Sequence, residues 1–229
     1  MHSIWTGFGE QLREPRGRNG RLIGRLMAVV NSGPNRCAIA AADVGADDVV
    51  LELGFGPGRC IASLAEQAVR GRVYGIDQSL EMLDLATRAN DRAIKDGRVQ
   101  LRLGRFDALP YADGSISRLL AVNVAYFFGG DGDEVAEIYR VLRPGGIAVV
   151  YVTDRETMRN WKFSGPETHR LYDAVQLDSL LRQGGFVQGD ICIEKVSLPF
   201  GVRGLVATAT KPRSKHQKED PRPSSGAHI

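Results

Sequence analysis

Apolar positions along the chain follow two alternating rhythms. Val49, Val50, Leu51 and Leu53 form a short, nearly continuous apolar run, the pattern of a strand buried on both faces of a parallel sheet. After it Ile61, Leu64, Ala65 and Ala68 recur at helical spacing. The alternation continues, with strands predicted over 72–76, 99–103, 119–124 and 147–152. Helices are predicted to begin near Ser79, over 134–142 with Val135, Ile138, Tyr139 and Leu142 on one side, and over 177–183. Strands over 191–196 and 205–209, joined through Leu198-Pro-Phe-Gly-Val202, read as an antiparallel hairpin.

Ahead of the first strand, Ile4, Trp5, Phe8 and Leu12 suggest a short amphipathic helix, and a second is expected over 21–30. Asn31-Ser-Gly-Pro34 is expected to end that helix, and a third over 35–42 leads into Gly45. The organisation expected is a helical arm over 1–46, one α/β domain over 47–210 and a basic tail over 211–229. Pro212, Pro221, Pro223 and a Ser-Ser-Gly run make disorder the expectation for that tail.

Composition narrows the class. The 229 residues with 43% hydrophobic content suit one compact domain with appendages. No run of eighteen apolar residues exists, and the first residues lack a signal-peptide pattern. Cys37, Cys60 and Cys192 are scattered, with no metal-ligand spacing among them or to the four histidines, so no metal site and a reduced, cytoplasmic setting are expected. Charge is uneven: residues 1–36 carry six arginines against two acids, and 211–229 five basic residues against two acids. Arginine outnumbers lysine 24 to 6 throughout, which reads as compositional bias more than as a nucleic-acid patch. No nucleic-acid partner is expected, and the oligomeric state is left open.

The chemistry concentrates after the first strand. Gly54, Gly56 and Gly58 follow it at alternate positions and a helix follows them, a unit that brings backbone N–H groups and a helix N-terminus against a ligand. A dinucleotide fingerprint would place a glycine three residues after Gly56, where Arg59 stands. The pattern is E-x-G-x-G-x-G, with Glu52 inside the strand. A carboxylate there repels a pyrophosphate and suits a cation. Asp77, nineteen residues after Gly58, ends the second strand, where a carboxylate can accept from both ribose hydroxyls.

The glycine stretch resembles motif I of the class I S-adenosylmethionine-dependent methyltransferases. Asp77-Gln-Ser-Leu-Glu-Met-Leu83, Gly104-Arg-Phe-Asp-Ala-Leu-Pro-Tyr-Ala-Asp-Gly-Ser-Ile116 and Arg140-Val-Leu-Arg-Pro-Gly-Gly146 resemble further segments of that family, in its order. The resemblance implies a doubly wound, Rossmann-like, seven-stranded sheet with an antiparallel terminal hairpin. It implies S-adenosylmethionine as cofactor, with Glu52, Gly54, Phe55, Gly56 and Gly58 at its methionine end. Asp77 would then meet the ribose, Gln78 the adenine face, and Asp107 and Ala108 the adenine edge.

Asn123, Tyr126 and Phe127, past the fourth strand, would face the transferred methyl group. The family's usual Asp before that strand is replaced by Ser117-Arg118, so its local support is expected to differ. His169, in Ser164-Gly-Pro-Glu-Thr-His-Arg-Leu-Tyr172, is a candidate general base, with Tyr126 as a second catalytic candidate. The implied acceptor is a small organic molecule, with O-, N-, C- and S-methylation all open. The arm reads either as a lid over it or as a contact with anionic membrane, and a lipid methyltransferase and an NAD(P)-binding oxidoreductase are the alternatives carried forward.

Overall fold

The structure is a computed structural model that describes residues 31–161, 164 and 169–213. The expected helices over 4–12 and 21–30, and nearly all of the tail, lie outside the described residues. In chain order the elements are α1 (Ser32–Ala42), β1 (Val49–Leu53), α2 (Arg59–Gln67), β2 (Arg72–Asp77), α3 (Leu80–Ala89), a short α4 (Asp91–Lys95) and β3 (Val99–Leu103). There follow β4 (Ile116–Val122), a 3-10 turn (Ala125–Phe127), α5 (Asp133–Val141), β5 (Leu142–Thr153), α6 (Arg155–Met158), α7 (Ala174–Gln183), β6 (Ile191–Ser197) and β7 (Arg203–Thr210).

One seven-stranded sheet runs in the order β3-β2-β1-β4-β5-β7-β6. Its first five strands are parallel, and β7 enters antiparallel between β5 and β6. The chain order reverses direction between β1 and β4, and a crevice at such a switch point, beyond the carboxyl ends of the strands, is where open α/β sheets bind ligands.

Alternate strand residues feed two cores. Leu51, Leu53, Leu119, Ala121 and Val150 pack with Val135 and Ile138 of α5 and Leu177 and Leu181 of α7. Val50, Leu120, Val149 and Tyr151 point the other way, onto Ala38 of α1, Ile61 and Leu64 of α2, and Met82 of α3. Helices therefore cover both faces, which is why the strands read as continuous apolar runs rather than as alternating ones. Among the described residues no helix is long and apolar enough to cross a membrane.

Several boundaries differ from the sequence expectation, β4 and α7 each beginning three residues early, and three of the differences have a clear local reason. Ser32, Gly33 and Pro34 form the first turn of α1 and do not break the chain there, because a proline in the first turn removes only an N–H that has no intrahelical partner. The fourth strand ends at Val122 rather than 124, since Asn123 adopts a left-handed conformation, φ 55°. The fifth begins at Leu142 rather than 147. Pro144 disfavours helix at Arg143, so Leu142 is already extended, and the register with β4 shifts between Ile116 and Arg118 to absorb the extra residues.

The Ser117-Arg118 pair does provide a different support. The Ser117 hydroxyl accepts from Val49 N (2.8 Å) and donates to Val49 O (3.0 Å). Arg118 Nε donates to Ala42 O at 2.8 Å, tying the end of α1 to the sheet.

Candidate functional site

A cleft opens beyond the carboxyl ends of β1, β2 and β4, and the glycine loop forms its floor. Gly54 N continues the sheet by donating to Ile76 O (2.8 Å), and Gly58 N closes the turn on Phe55 O (3.0 Å). Gly54 has φ 67°, and a Cβ there would fall 2.1 Å from Val124 Cγ2. Gly56 has φ 52°, yet a Cβ there would meet nothing within 4 Å, because that side is the open cleft. The first glycine is required by packing and the second leaves room for a ligand at the backbone.

Asn90, which belongs to none of the motifs, bolts the loop from behind. Its buried amide donates to Gly58 O (3.0 Å) and to Ala86 O (2.9 Å). Gly75 in β2 is also local to the site: a Cβ there would lie 2.7 Å from the Phe55 ring, which fills that space.

Two acids line the cleft. Glu52 is 2% exposed, and its Oε2 has no hydrogen-bond partner. Burial pushes its carboxyl up to about 8, against the opposing hydrogen bond from the Cys60 thiol, and the nearby Asp77 charge pushes it further in the same direction. An orphaned buried carboxyl oxygen is costly unless something fills its position, and the partner its chemistry suits is a cationic donor.

Asp77 is 8% exposed and already braces the loop: Oδ2 accepts from Gly56 N (2.9 Å) and Oδ1 from Ser79 N (2.9 Å). Burial raises it to about 6, opposed by those backbone hydrogen bonds. Each oxygen keeps a second lone pair for a ligand hydroxyl. Ser79 itself caps α3, its Oγ accepting from Met82 N at 3.3 Å.

The opposite wall carries Asn123 and Phe127, with Asn31 and Asn35 of the α1 entrance. Tyr126 stands behind it. Its hydroxyl accepts from Thr153 N, so its proton goes to Asn123 Oδ1 (2.8 Å). That fixes the amide: Asn123 Nδ2 faces the arm, donating to Asn31 Oδ1 at 3.0 Å. Tyr126 is fully committed to these two bonds and, being buried, is held far above the usual phenol range.

His169 is buried behind the same wall, its ring 5.0 Å from Phe127 and 5.8 Å from Tyr126. It does not line the cleft, and burial lowers it to about 4.

That burial has a consequence for pH dependence. His169 stays neutral in the folded chain and protonates near 6.5 when unfolded, so its contribution to stability is present above about 6.5 and is lost as pH falls toward 4. Glu52 and Asp77, both raised, act with the opposite sign in overlapping windows, their contribution being lost as pH rises toward about 8 and about 6. The His169 part is therefore read by difference. Relative to wild type, His169→Phe is expected to flatten the fall in stability between pH 6.5 and 4, by an amount on the order of 3 kcal/mol. Parallel denaturant titrations of the two proteins check it; identical pH slopes would contradict the assignment.

Asp107 lies in an adjoining depression that shares Gln78, Phe106 and Phe127 with the cleft. Its carboxylate pairs with Arg105, whose Nε donates to Oδ1 at 2.8 Å, and that hydrogen bond holds it below the usual carboxylate range. Ala108 lines neither the cleft nor the depression. The loop that carries both is pinned from α5: Glu137 Oε2 accepts from Leu109 N (2.7 Å), and Arg140 donates to Leu109 O (2.9 Å) and Tyr111 O (2.8 Å). The arginine of the Arg140–Gly146 segment thus has a structural use that its motif did not disclose.

The sheet and the switch-point cleft, with a pair of acids around a glycine loop, are the architecture of a doubly wound α/β protein with its ligand crevice at the strand ends. Residues 51–150 match the methyltransferase domain family. The chain is 28% identical over 191 residues to an uncharacterized methyltransferase of Bacillus subtilis, covering 83% of this chain and 98% of that protein. It is likewise 28% identical over 185 residues to the demethylmenaquinone methyltransferase of Lactobacillus johnsonii, covering 69% of this chain and 75% of the relative. Among solved structures, the methyltransferase bound to the Trm112 activator of Haloferax volcanii superposes with a TM-score of 0.70 at 19% identity, covering 92% of this chain and 98% of that one. Residues 51–150 are a methyltransferase domain, and the chain is similar to S-adenosylmethionine-dependent methyltransferases.

Proposed function

We propose that the chain transfers the methyl group of S-adenosylmethionine to a small organic acceptor admitted over the Asn123–Phe127 wall. The observation that carries the site reading is the unpartnered Glu52 Oε2, buried in the cleft wall beside the glycine loop. The cofactor supplies the reactive sulfonium methyl, so the chain has to bind, orient and exclude water rather than activate a leaving group. Glu52 is assigned the ammonium of the methionine end, and Gly56 the close approach of backbone to ligand. Asp77 takes the ribose hydroxyls, Gln78 lies against the adenine, and Asp107 receives the adenine amino group from the adjoining depression.

The acceptor is assigned to the side of the cleft where apolar groups gather. Phe106, Val122, Val124 and Phe127 stand there with the Asn123 amide, a lining that suits a compact, partly apolar molecule carrying one hydrogen-bonding group. The relative named for demethylmenaquinone supports an acceptor of small-molecule size. Residues 1–30 are assigned the role of a lid on that side, because α1 brings Asn31 and Asn35 directly to the cleft. No general base is required for a thiol, amine or acidic carbon acceptor, and His169 is assigned to support of Phe127 and Tyr126.

The test is incubation of the protein with methyl-labelled S-adenosylmethionine and a fractionated cell extract. Label in a compound of small-molecule size supports the proposal. Label found only in protein or nucleic acid overturns it.

A further inference from the structure

The hydrogen bonds behind the Asn123–Phe127 wall run in one direction. They start at Thr153 N, a backbone group that can only donate, so the Tyr126 oxygen accepts there and the phenol proton goes to Asn123 Oδ1 at 2.8 Å. Asn123 Oδ1 thus faces inward. One N–H of its Nδ2 meets Asn31 Oδ1 at 3.0 Å, and the other has no partner among the described residues. The Asn31 oxygen faces back along the same chain, so the group that Asn31 can offer elsewhere is its amide NH2. Both asparagines line the cleft, whereas Tyr126 does not. Asn31 is the N-cap of α1 but makes no capping hydrogen bond, and Asn123 holds a left-handed backbone, φ 55°. Each gives up local stability at the cleft.

We infer that Tyr126 positions the Asn123 amide so that this side of the cleft offers hydrogen-bond donors, and that the methyl acceptor presents an oxygen to them: a carbonyl, carboxylate or phenolate. The inference rests on the acceptor placement given above and adds the chemical class of the group recognised. An ammonium group would bring N–H against N–H and leave both unpaired, the costly case once water is excluded. Selection by a fixed hydrogen-bonding sense is stronger than selection by pocket size alone. Tyr126 acts through Asn123 and is a positioning residue. Glu52, Asp77 and Arg59 also line the cleft, and their charges are common to every comparison below.

The experiment follows the side-chain amide resonances of Asn123 and Asn31 by nuclear magnetic resonance in the isotope-labelled full chain, saturated with S-adenosylhomocysteine. The probes are benzoate and benzylamine, close in size and opposite in hydrogen-bonding sense. Benzoate is expected to shift both amides and to bind at least about tenfold more tightly than benzylamine. Tyr126→Phe, which lets the amide turn over, should remove most of that preference and leave the Kd of S-adenosylhomocysteine unmoved. Asn123→Asp, which puts an acceptor in place of the donor on a backbone that aspartate tolerates, should reverse it. Equal binding of the two probes to wild type, or tighter binding of benzylamine, overturns the inference while leaving the acceptor placement intact. A preference undiminished in Tyr126→Phe overturns the part assigned to the phenol. Shifts from neither probe overturn the acceptor placement, and the inference with it. In the labelled-extract assay, a methylated product without a carbonyl, carboxylate or phenol oxygen overturns the inference and leaves methyl transfer standing.

Discussion

Gly54→Ala is expected to lower the melting temperature by roughly 5–12 °C, while Gly56→Ala, two residues on, lowers it by only about 2–4 °C and yet loses the cofactor. The difference comes from what a Cβ meets. At Gly54 it lands 2.1 Å from Val124 Cγ2, so either the loop or the chain leaving β4 must move, and the backbone is left-handed as well. Steric insertion of this kind costs about 1–3 kcal/mol, and a left-handed non-glycine residue adds about 1–2. At Gly56 only the backbone cost applies, because the new methyl group points into open cleft. There it occupies the space against which a ligand would lie. Adding Val124→Ala to Gly54→Ala should recover part of the lost stability, and circular-dichroism melts of the four proteins check the set. Equal losses at the two glycines would show that the loop is held otherwise.

The second large effect concerns Asp77. Asp77→Ala is expected to weaken S-adenosylhomocysteine by on the order of a hundredfold or more, since two hydrogen bonds to a charged group contribute about 1.5–3 kcal/mol each. The ligand-free protein should melt within a few degrees of wild type. Removing a buried carboxylate relieves its desolvation, while Ser79 N–H and Gly56 N–H lose their acceptor, the latter at the open cleft where water can replace it, and these effects have opposite signs and similar size, about 1–3 kcal/mol. Equilibrium titration of both proteins separates binding from folding. A wild-type Kd in the variant would remove Asp77 from the site.

How much of this was legible beforehand depends on how local each feature is. The strand–glycine–helix unit and the strand ending at Asp77 are written in consecutive residues, and β1, α2 and β2 lie where the pattern predicted. The seven-stranded sheet with its reversed hairpin followed from family resemblance, since nothing in the spacing of 191–209 says that β7 inserts between β5 and β6. Contacts across the fold were hidden. Asn90 sits 32 residues from the glycine whose carbonyl it holds. Cys60 reads as one apolar position of an amphipathic helix until the sheet brings Glu52 beneath it.

His169 shows where sequence position and folded environment part. Its residue type and its place in a polar insertion suggested a base, but burial behind Phe127 and Tyr126, which decides its chemistry, is a property of the folded chain. Tyr126 pointed toward the reaction by position alone, whereas its hydroxyl turns back to Thr153 N and the Asn123 amide.

The central claim, that this cleft takes a sulfonium-type nucleoside rather than a dinucleotide, is tested most directly by melting the wild-type chain with each ligand. At a hundred times its dissociation constant a ligand that binds only the folded state stabilises by about 2.7 kcal/mol, which for a domain of this size raises the melting temperature by roughly 5–10 °C. S-adenosylmethionine and S-adenosylhomocysteine should each produce that rise. NAD should leave the transition unmoved, since Glu52 and Arg59 stand where a pyrophosphate would need glycine and open backbone. A rise with NAD and none with S-adenosylmethionine would contradict the account at its root.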